Sequence, residues 1–263
     1  MIKVSIVTIC YNNERDIRAT LESVVHQTYP NIEYIVIDGA SKDNSLSIIN
    51  EYKDKISILV SEPDHGMYEA LNKGFSRATG DVIGMIHAGD RLYNDGVIAR
   101  IAEFYEKNTE VDISYGNSII VDAKDVVRRV NISPNYSPRL PYRGWMPSHQ
   151  SIYCRKKVFD IAGYYRTDQG GGGDYEWFVR TFVKHKDEFN IKAINEFIIK
   201  FSLGGQSTTN YSKKISSSRI KRIRANWTMN GLKPPFALVL KMFARKIKQF
   251  VLARKMRKGG TII

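Results

Sequence analysis

The chain has 263 residues, 43% apolar and 25% charged, which is enough to bury a sizeable core and excludes wholesale disorder. Its formal net charge of +13 is unevenly spread: residues 1–203 hold 25 Lys and Arg against all 27 Asp and Glu, whereas residues 204–263 hold 15 Lys and Arg and no acid. The charge distribution therefore excludes a uniformly basic protein and indicates a nearly neutral body with a strongly basic tail.

The first half of the chain alternates strand and helix patterns. Short, β-branched apolar runs predict strands over residues 3–9, 32–37, 56–60 and 81–86. Helical spacing predicts helices over residues 17–25, after residue 44 and over 66–78. Nearly continuous apolar strands separated by helices favour an α/β fold with a mostly parallel, Rossmann-like sheet covered on both faces.

The second half is less regular. Extended runs are predicted over 112–122, 126–132 and 191–201, helices over 155–162 and 174–184, and a loop over 133–147. The glycine run at 170–173 lacks the spacing of known phosphate-binding loops, so we interpret it as a mobile loop that can order over a substrate.

Cysteine content and hydropathy give expectations about location. Cys10 and Cys154 provide neither a disulfide framework nor the spacing of a zinc site. The chain opens directly into a strand pattern, without a basic segment or cleavage site, so we expect no signal peptide. No uninterrupted apolar run reaches about 18 residues, so we expect no spanning helix. These features predict a reducing, cytosolic location.

Polar residues follow each of the first four predicted strands, at positions 8–13, 38–43, 61–66 and 87–90. Parallel sheets bind ligands at the carboxyl ends of their strands, so these residues predict a site. Asp38 either closes an Asx-turn or grips a nucleoside, and its position at this edge favours the second role. Asp90 either caps a turn or binds Mg²⁺ or Mn²⁺, cations that prefer hard oxygen ligands. His87, three residues earlier, is interpreted as a loop histidine.

Further candidates lie in the second half of the chain. Asp174 is either a helix N-cap or a general base, and residue type alone does not decide between them. Glu176, two residues on, would point about 200° away on a helix, so the two carboxylates cannot face one acceptor. His149 taken alone is more typical of a structural histidine that donates and accepts hydrogen bonds.

Seven ordered strings now point to one family. They are VSIVTICYNNE (4–14), HQTYPNIEYIVIDGASKDNS (26–45), SEPDHGMYEALNKGF (61–75), GDVIGMIHAGD (80–90), SHQSIYCRKKVF (148–159), DYEWFVR (174–180) and FSLGGQST (201–208). Together they resemble the inverting family 2 glycosyltransferases of GT-A fold. The resemblance implies a GT-A domain over residues 1–208 and leaves a basic, partly amphipathic helical extension over 209–263.

The resemblance assigns roles to individual residues. Nucleotide-binding positions are matched by Thr8, Tyr11, Glu14, Asp38, Asp64, Gly66 and Asn72. Asp90 matches the metal ligand that closes the DXD motif, Asp174 matches the catalytic base, and His149 with Gln150 matches the acceptor or diphosphate side. Two departures stand out: Ala88 occupies the first carboxylate position of the DXD motif, and Gly173 replaces the first acid of the family's Glu-Asp pair.

The implied reaction is an inverting, metal-dependent sugar transfer with Mg²⁺ or Mn²⁺ as cofactor. The donor would be a nucleotide sugar, commonly UDP-linked, and the acceptor a hydroxyl of a glycan or lipid-linked glycan in polysaccharide or cell-surface glycan biosynthesis. Two alternatives stay open: a nucleotide-sugar-binding module without turnover, and a basic nucleic-acid-binding protein. The second is disfavoured because no nucleic-acid-binding motif accompanies the charge. The sequence allows an oligomer.

The tail contains an apolar stripe at i, i+3 and i+4 spacing that would span about 120° of a helix. Its members are Phe236, Val239, Leu240, Phe243, Ile247, Phe250 and Val251. Lys241, Arg245 and Lys248 lie off the stripe, although Leu238 and Leu252 interrupt the polar face. The favoured interpretation is attachment to an anionic membrane at the inner face of the cytoplasmic membrane. The alternative is that the stripe packs on the body or on another copy.

Overall fold

The computed structural model describes residues 1–203, 217–236 and 238–258. The strands are β1 (Val4–Cys10), β2 (Ile32–Asp38), β3 (Ile58–Ser61), β4 (Val82–His87), β5 (Arg91–Leu92), β6 (Ile113–Val121), β7 (Val127–Asn131), β8 (Ile152–Cys154) and β9 (Ile191–Ser202). The α-helices are α1 (Ile17–Val25), α2 (Ser45–Asn50), α3 (Met67–Arg77), α4 (Val97–Lys107), α5 (Lys157–Ala162), α6 (Gly173–Val179), α7 (Ser217–Met229) and α8 (Leu238–Arg257).

The described strands form one mixed sheet in the order β3-β2-β1-β4-β8-β6-β9-β5, with β7 paired to β6. The first four strands are mutually parallel, as predicted from their patterns. In register, Cys10 lies beside Asp38, Asp38 beside Ser61, and Ile9 beside His87. The polar loops that follow these strands therefore share one edge of the sheet, which confirms the predicted edge.

Apolar side chains of β1 alternate between the two faces of the sheet. Val7 and Ile9 join the core cluster that includes α3, whereas Val4 and Ile6 join the cluster that includes α1 and α4. Because both faces are covered by helices, the strands are buried and their sequences are almost continuously apolar. The expected doubly covered α/β architecture is confirmed.

Some local features differ from the expectation, and one expected boundary is not described. The strands β5 and β8 were not predicted, because two or three residues are too few to show a period. The helix expected over 174–184 is α6 followed by a π-helical turn at Arg180–Lys184. The predicted division at residues 208 and 209, and most of the 201–208 motif, lie outside the described residues.

The C-terminal helices pack on the body. In α7, Asn226 Nδ2 donates to the carbonyl of Gly172 at 3.2 Å, and Trp227 Nε1 donates to the hydroxyl of Tyr175 at 2.9 Å. In α8, Arg257 donates to the carbonyl of Val127 on β7 at 2.8 Å. The α7 contacts hold the glycine run that precedes α6, so the extension supports the segment that carries Asp174.

A buried carboxylate anchors the opposite, amino-terminal edge of the sheet. Glu33 accepts hydrogen bonds from Lys3 Nζ at 2.7 Å, Ser5 Oγ at 2.5 Å and Thr79 N at 2.7 Å. Burial alone would raise its pKa, but these bonds outweigh burial and lower the pKa to about 2. Glu33 therefore stabilises the fold above its unfolded pKa of 4.5, and this contribution is lost as the pH falls towards 2.

We expect Glu33→Gln to lower the free energy of unfolding by about 1–3 kcal/mol at pH 7. The difference from wild type should shrink as the pH is lowered from 4.5. Urea unfolding across pH 7 to 3 measures this, with Glu103→Gln on the exposed face of α4 as the control. A difference that does not change with pH would contradict the account of Glu33.

Candidate active site

An exposed aromatic ring and a carboxylate meet at the carboxyl edge of the parallel strands. Tyr11, just after β1, is 61% exposed. A Cβ at Gly39 would lie 2.5 Å from Asp64 Oδ2 and 3.3 Å from the Tyr11 ring, so a larger residue there would displace the Asp64 carboxylate. Asp64 also accepts a hydrogen bond from Gly66 N at 2.8 Å, and Gly66 has a φ of +125° at the start of α3. The three predicted residues Tyr11, Asp64 and Gly66 thus lie close together around Gly39.

Asp38 directly precedes Gly39. Its carboxylate is fully buried and accepts hydrogen bonds from Ser41 N at 3.1 Å, Ser41 Oγ at 2.5 Å and Ser61 Oγ at 2.7 Å. This is the local turn that the sequence left open as one of two interpretations, with an added bond to β3. A nucleobase could reach the carboxylate only if a serine released it, so base recognition by Asp38 stays a prediction.

Two other nucleotide-binding candidates hold the surrounding loops together. The Thr8 side chain is fully buried, and its hydroxyl is 3.1 Å from the hydroxyl of Tyr34. Glu14 accepts hydrogen bonds from the backbone N and the side-chain amide of Asn44, at 2.9 and 2.8 Å. Thr8 offers no exposed side-chain atom to a ligand, and direct nucleotide contacts by both residues stay predictions.

Asp90 is held by groups from two distant segments. Its Oδ2 accepts from Gln150 Nε2 at 2.6 Å and its Oδ1 accepts from Ser202 N at 2.9 Å. Gln150 is itself buried, and its Oε1 accepts from His87 N at 2.9 Å. Burial raises the pKa of Asp90 to about 6, although the two hydrogen bonds favour the ionised form. Gln150 therefore fixes the orientation of Asp90.

Two histidines lie near the predicted metal ligand Asp90 and the predicted base Asp174. The rings of His87 and His149 have centroids 5.1 Å apart. Burial lowers the pKa of both, and the proximity of His149 lowers that of His87 further, whereas the Asp174 carboxylate partly opposes the lowering for His149. Burial therefore favours the neutral form of both rings. The chain of contacts runs from Asp90 through Gln150 and His87 to His149, beside Asp174.

Asp174 begins α6 and is bound by a tyrosine from α3. The Tyr68 hydroxyl donates to Asp174 Oδ1 at 3.3 Å and accepts from Asp174 N at 3.1 Å. The neighbouring Gly173 packs so closely that a Cβ would lie 2.8 Å from the Tyr68 ring. Glu176 instead forms a buried ion pair with Arg180 at 2.8 Å. Asp174 is thus the carboxylate of this pair that remains partly exposed, as the helical geometry predicted.

Asn72 supports Tyr68 from the same helix. Its amide donates to the carbonyl of Tyr165 at 2.8 Å and accepts from Tyr165 N at 3.0 Å. The Tyr165 ring stacks between Tyr68, at 5.7 Å, and Trp177, at 5.3 Å. Because both polar ends of Asn72 bind this backbone, its role in the described geometry is to brace the aromatic stack, and its predicted nucleotide contact stays a prediction.

The sequence did not point to Tyr68, Tyr165 or Ser202 as site residues. Tyr68 falls on the apolar face of α3 with Leu71 and Phe75, so its spacing is typical of a core residue. Ser202 binds Asp90 through its backbone N, which carries no residue-type signal.

A metal ion fits this site only in part. The oxygens of Asp90 are the hard donors that Mg²⁺ and Mn²⁺ prefer, and the buried His87 Nε2 has no hydrogen-bond partner in the described part of the chain. Within residues 1–203, 217–236 and 238–258, no three His, Cys, Asp or Glu side chains are arranged to hold a metal. Most ligands of a cation bound here would therefore come from substrate phosphates and water.

The described residues define an α/β protein whose acidic groups gather at the carboxyl edge of parallel strands, the place where such sheets bind ligands. Residues 5–164 match the family described as Glycosyl transferase family 2, and the chain belongs to that family. A PGL/p-HBAD biosynthesis glycosyltransferase of Mycobacterium tuberculosis is 28% identical over 211 residues, which cover 74% of this chain and 75% of the relative. The chain is thus a glycosyltransferase, as predicted.

Solved structures confirm the GT-A fold. The 1–349 fragment of Staphylococcus aureus TarS in complex with UDP-GlcNAc matches with a TM-score of 0.68 at 16% identity, over 97% of this chain and 73% of that one. The mannosyltransferase PcManGT of Pyrobaculum calidifontis, in complex with GDP-Man and Mn²⁺, matches with a TM-score of 0.58 at 16% identity. The match covers 99% of this chain and 76% of that one.

Proposed function

We propose that this glycosyltransferase transfers a sugar from a UDP-linked donor to an acceptor hydroxyl with inversion at the anomeric carbon. The observation that carries the proposal is a series of contacts from Asp90 through Gln150 and His87 to His149, which interacts electrostatically with Asp174. The exposed Tyr11 and the half-buried Asp64 follow strands of the same sheet edge. The proposed donor surface, leaving-group side and base therefore follow one another along a single edge of the sheet.

In the proposed reaction, Asp174 accepts the proton of the acceptor hydroxyl while the oxygen of that hydroxyl bonds to the anomeric carbon. The bond from that carbon to the diphosphate breaks on the opposite face, and the nucleoside diphosphate leaves with the electron pair. A hydroxyl is a weak nucleophile, so a positioned base contributes about 10²–10⁴-fold to the rate. Tyr68 is proposed to orient the base through its two hydrogen bonds, and His149 to contact the acceptor or the diphosphate.

Asp90 is the residue that would hold a divalent cation. A cation there would neutralise the charge that develops on the leaving diphosphate. The hydrogen bonds from Gln150 and Ser202 keep the carboxylate oriented, and they leave lone pairs on both oxygens. A relative in fold was solved with Mn²⁺, which supports Mn²⁺ or Mg²⁺ as the cofactor.

We expect Mn²⁺ to bind weakly alone and at least tenfold more tightly with UDP, because a single protein carboxylate leaves most ligands to be supplied by phosphate. Calorimetric titration with Mn²⁺, with and without UDP, measures this without relying on turnover. Asp90→Asn should remove the enhancement, whereas Asp95→Asn in the following turn should retain it. Equal Mn²⁺ affinity with and without UDP would contradict the assignment of Asp90.

The acceptor is proposed to be a glycan or lipid-linked glycan in polysaccharide or cell-surface glycan biosynthesis. The PGL/p-HBAD biosynthesis relative supports an acceptor of this kind. TarS bound to UDP-GlcNAc and PcManGT bound to GDP-Man support a nucleotide-sugar donor, and UDP is our choice because of the resemblance at Asp38 and Asp64.

We further propose a cytoplasmic location at the inner face of the cytoplasmic membrane. The acid-free segment 204–263, with 15 Lys and Arg, supports attraction to anionic lipid. No helix in the described ranges has the length and apolarity needed to cross a bilayer.

Release of UDP from a panel of UDP-sugars in the presence of Mn²⁺ tests the proposal. A transferase should release UDP slowly without an acceptor and faster with the right one. A binding module would show a raised melting temperature with UDP but no release, because a ligand stabilises the folded state by mass action. A nucleic-acid-binding protein would show neither effect.

A further inference from the structure

The helix α8 exposes an apolar arc that the exposed Arg254 interrupts. Leu240, Ile247, Phe250 and Val251 are between 54% and 71% exposed, and Phe236 just before the helix is fully exposed. At ~100° per residue, the four helical positions fall within an arc of about 100°. They belong to the stripe seen in the sequence, and each of them leaves more than half of its surface exposed.

The opposite face of α8 makes most of the contacts with the body, and at one border of the exposed arc the Phe250 ring lies 5.7 Å from the Arg129 guanidinium of β7. Leu238 and Ala253 are buried, and Leu252 and Met256 pack against the cluster under β7. The buried positions are centred about 180–200° from the exposed ones. The helix is therefore apolar on two opposite faces, and its body-facing side fixes the direction in which the outer face points.

Three lysines border the outer face. Lys241, Lys248 and Lys255 are exposed and seven residues apart, so they line one flank of the helix. None of them forms an ion pair with a carboxylate in the described ranges, and no acid follows Glu196 in the sequence. An exposed apolar arc with an unpaired cationic border matches an anionic lipid surface, where apolar side chains enter the interface and lysines meet phosphates.

The docking helix is also connected to the acceptor side of the site. Gln249 Nε2 donates to Asn131 Oδ1 at 3.3 Å, and Asn131 Nδ2 donates to Ser148 Oγ at 3.1 Å. Ser148 directly precedes His149, so two hydrogen bonds separate α8 from the loop that carries the acceptor-side residues. The body-facing side of α8 is therefore joined to the loop that carries His149 and Gln150.

We propose that the outer face of α8, formed by Leu240, Ile247 and Val251 with the lysine border, docks on an anionic bilayer. This inference rests on the peripheral location proposed above and names the surface responsible. It does not depend on the transfer reaction.

Sedimentation of the full chain with vesicles tests the inference. Vesicles of phosphatidylcholine alone are compared with vesicles that also contain phosphatidylglycerol. Wild type should pellet with the anionic vesicles. The triple variant Leu240→Ser, Ile247→Ser, Val251→Ser should partition roughly 100-fold less, because three apolar contacts with the interface are lost. Replacing Lys241, Lys248 and Lys255 by Gln should cause a similar loss on anionic vesicles and none on neutral ones.

Ile161→Ser on α5 is the matched control, because Ile161 is an exposed isoleucine on the body, and it should bind like wild type. Unaltered binding by the α8 triple variant, or no binding by wild type, would overturn the inference. A wild-type dimer that the triple variant dissociates, with no vesicle binding by either, would assign the face to a second copy instead. Release of UDP from a donor sugar should be the same in wild type and the triple variant, which separates this test from that of the transferase.

Discussion

Replacing Asp174 by Asn should reduce sugar transfer by about 10²–10⁴-fold while leaving the affinity for UDP nearly unchanged. Asparagine keeps the size of the side chain and an oxygen that can accept from Tyr68, but it cannot take the proton of the acceptor hydroxyl. The loss should therefore fall on kcat. Steady-state rates, together with calorimetric titration of UDP, separate the two effects.

Asp168→Asn provides a control in the same part of the chain. Asp168 is an exposed carboxylate that pairs with Arg166 at 2.7 Å, and its loss should leave kcat within about twofold because exposed ion pairs contribute little. If Asp174→Asn kept wild-type turnover, or if it lost UDP affinity in proportion to its loss of rate, Asp174 would not be the base.

Removal of the Tyr68 hydroxyl should lower kcat by about 10–100-fold and leave the KM for the donor within a few-fold. Tyr68→Phe keeps the ring in its stack with Tyr165 but removes both hydrogen bonds to Asp174. A catalytic group must be held close to its productive geometry, so an unrestrained Asp174 should act as a base less often. Tyr68 is thus a positioning residue, and the expected signature is a kcat effect without a KM effect.

Tyr29→Phe is the matched control for Tyr68. The Tyr29 hydroxyl donates to the carbonyl of Ile2 at 2.5 Å, near the opposite edge of the sheet, so its removal should affect stability more than kcat. Thermal unfolding of both variants shows whether they fold. A well-folded Tyr68→Phe with wild-type kcat would show that Asp174 needs no support from this hydroxyl.

The sequence predicted the parallel strands and the edge where their loops meet, because short apolar runs separated by helices leave few other arrangements. For Asp38 it favoured a role in nucleoside binding over a local turn, and it could not show the hydrogen bonds that bury the carboxylate. The bond from Ser41 is local and visible in the spacing, but the bond from Ser61 comes from the next strand and depends on the register of β2 with β3. The fold therefore buries the Asp38 carboxylate against serines from two different segments.

The C-terminal helix shows a second limit of sequence reasoning. The periodicity of its stripe was correct, but periodicity does not tell which apolar face meets the body. Leu238 and Leu252, which interrupted the polar face in the sequence, are the residues that pack, whereas Leu240 and Ile247 of the stripe are exposed. Complementary surfaces on β7 and its neighbours decide this, and a single helix sequence does not contain them.

The most direct test of the central claim is to determine the anomeric configuration of the sugar in the product. Proton NMR of fresh reaction mixtures with an α-linked UDP-sugar, Mn²⁺ and either acceptor or water reports the configuration at the anomeric carbon before it equilibrates. An inverting transferase that uses Asp174 as its base predicts a β product, and Asp174→Asn should abolish its formation. An α product, or a β product formed equally well by Asp174→Asn, would contradict the account.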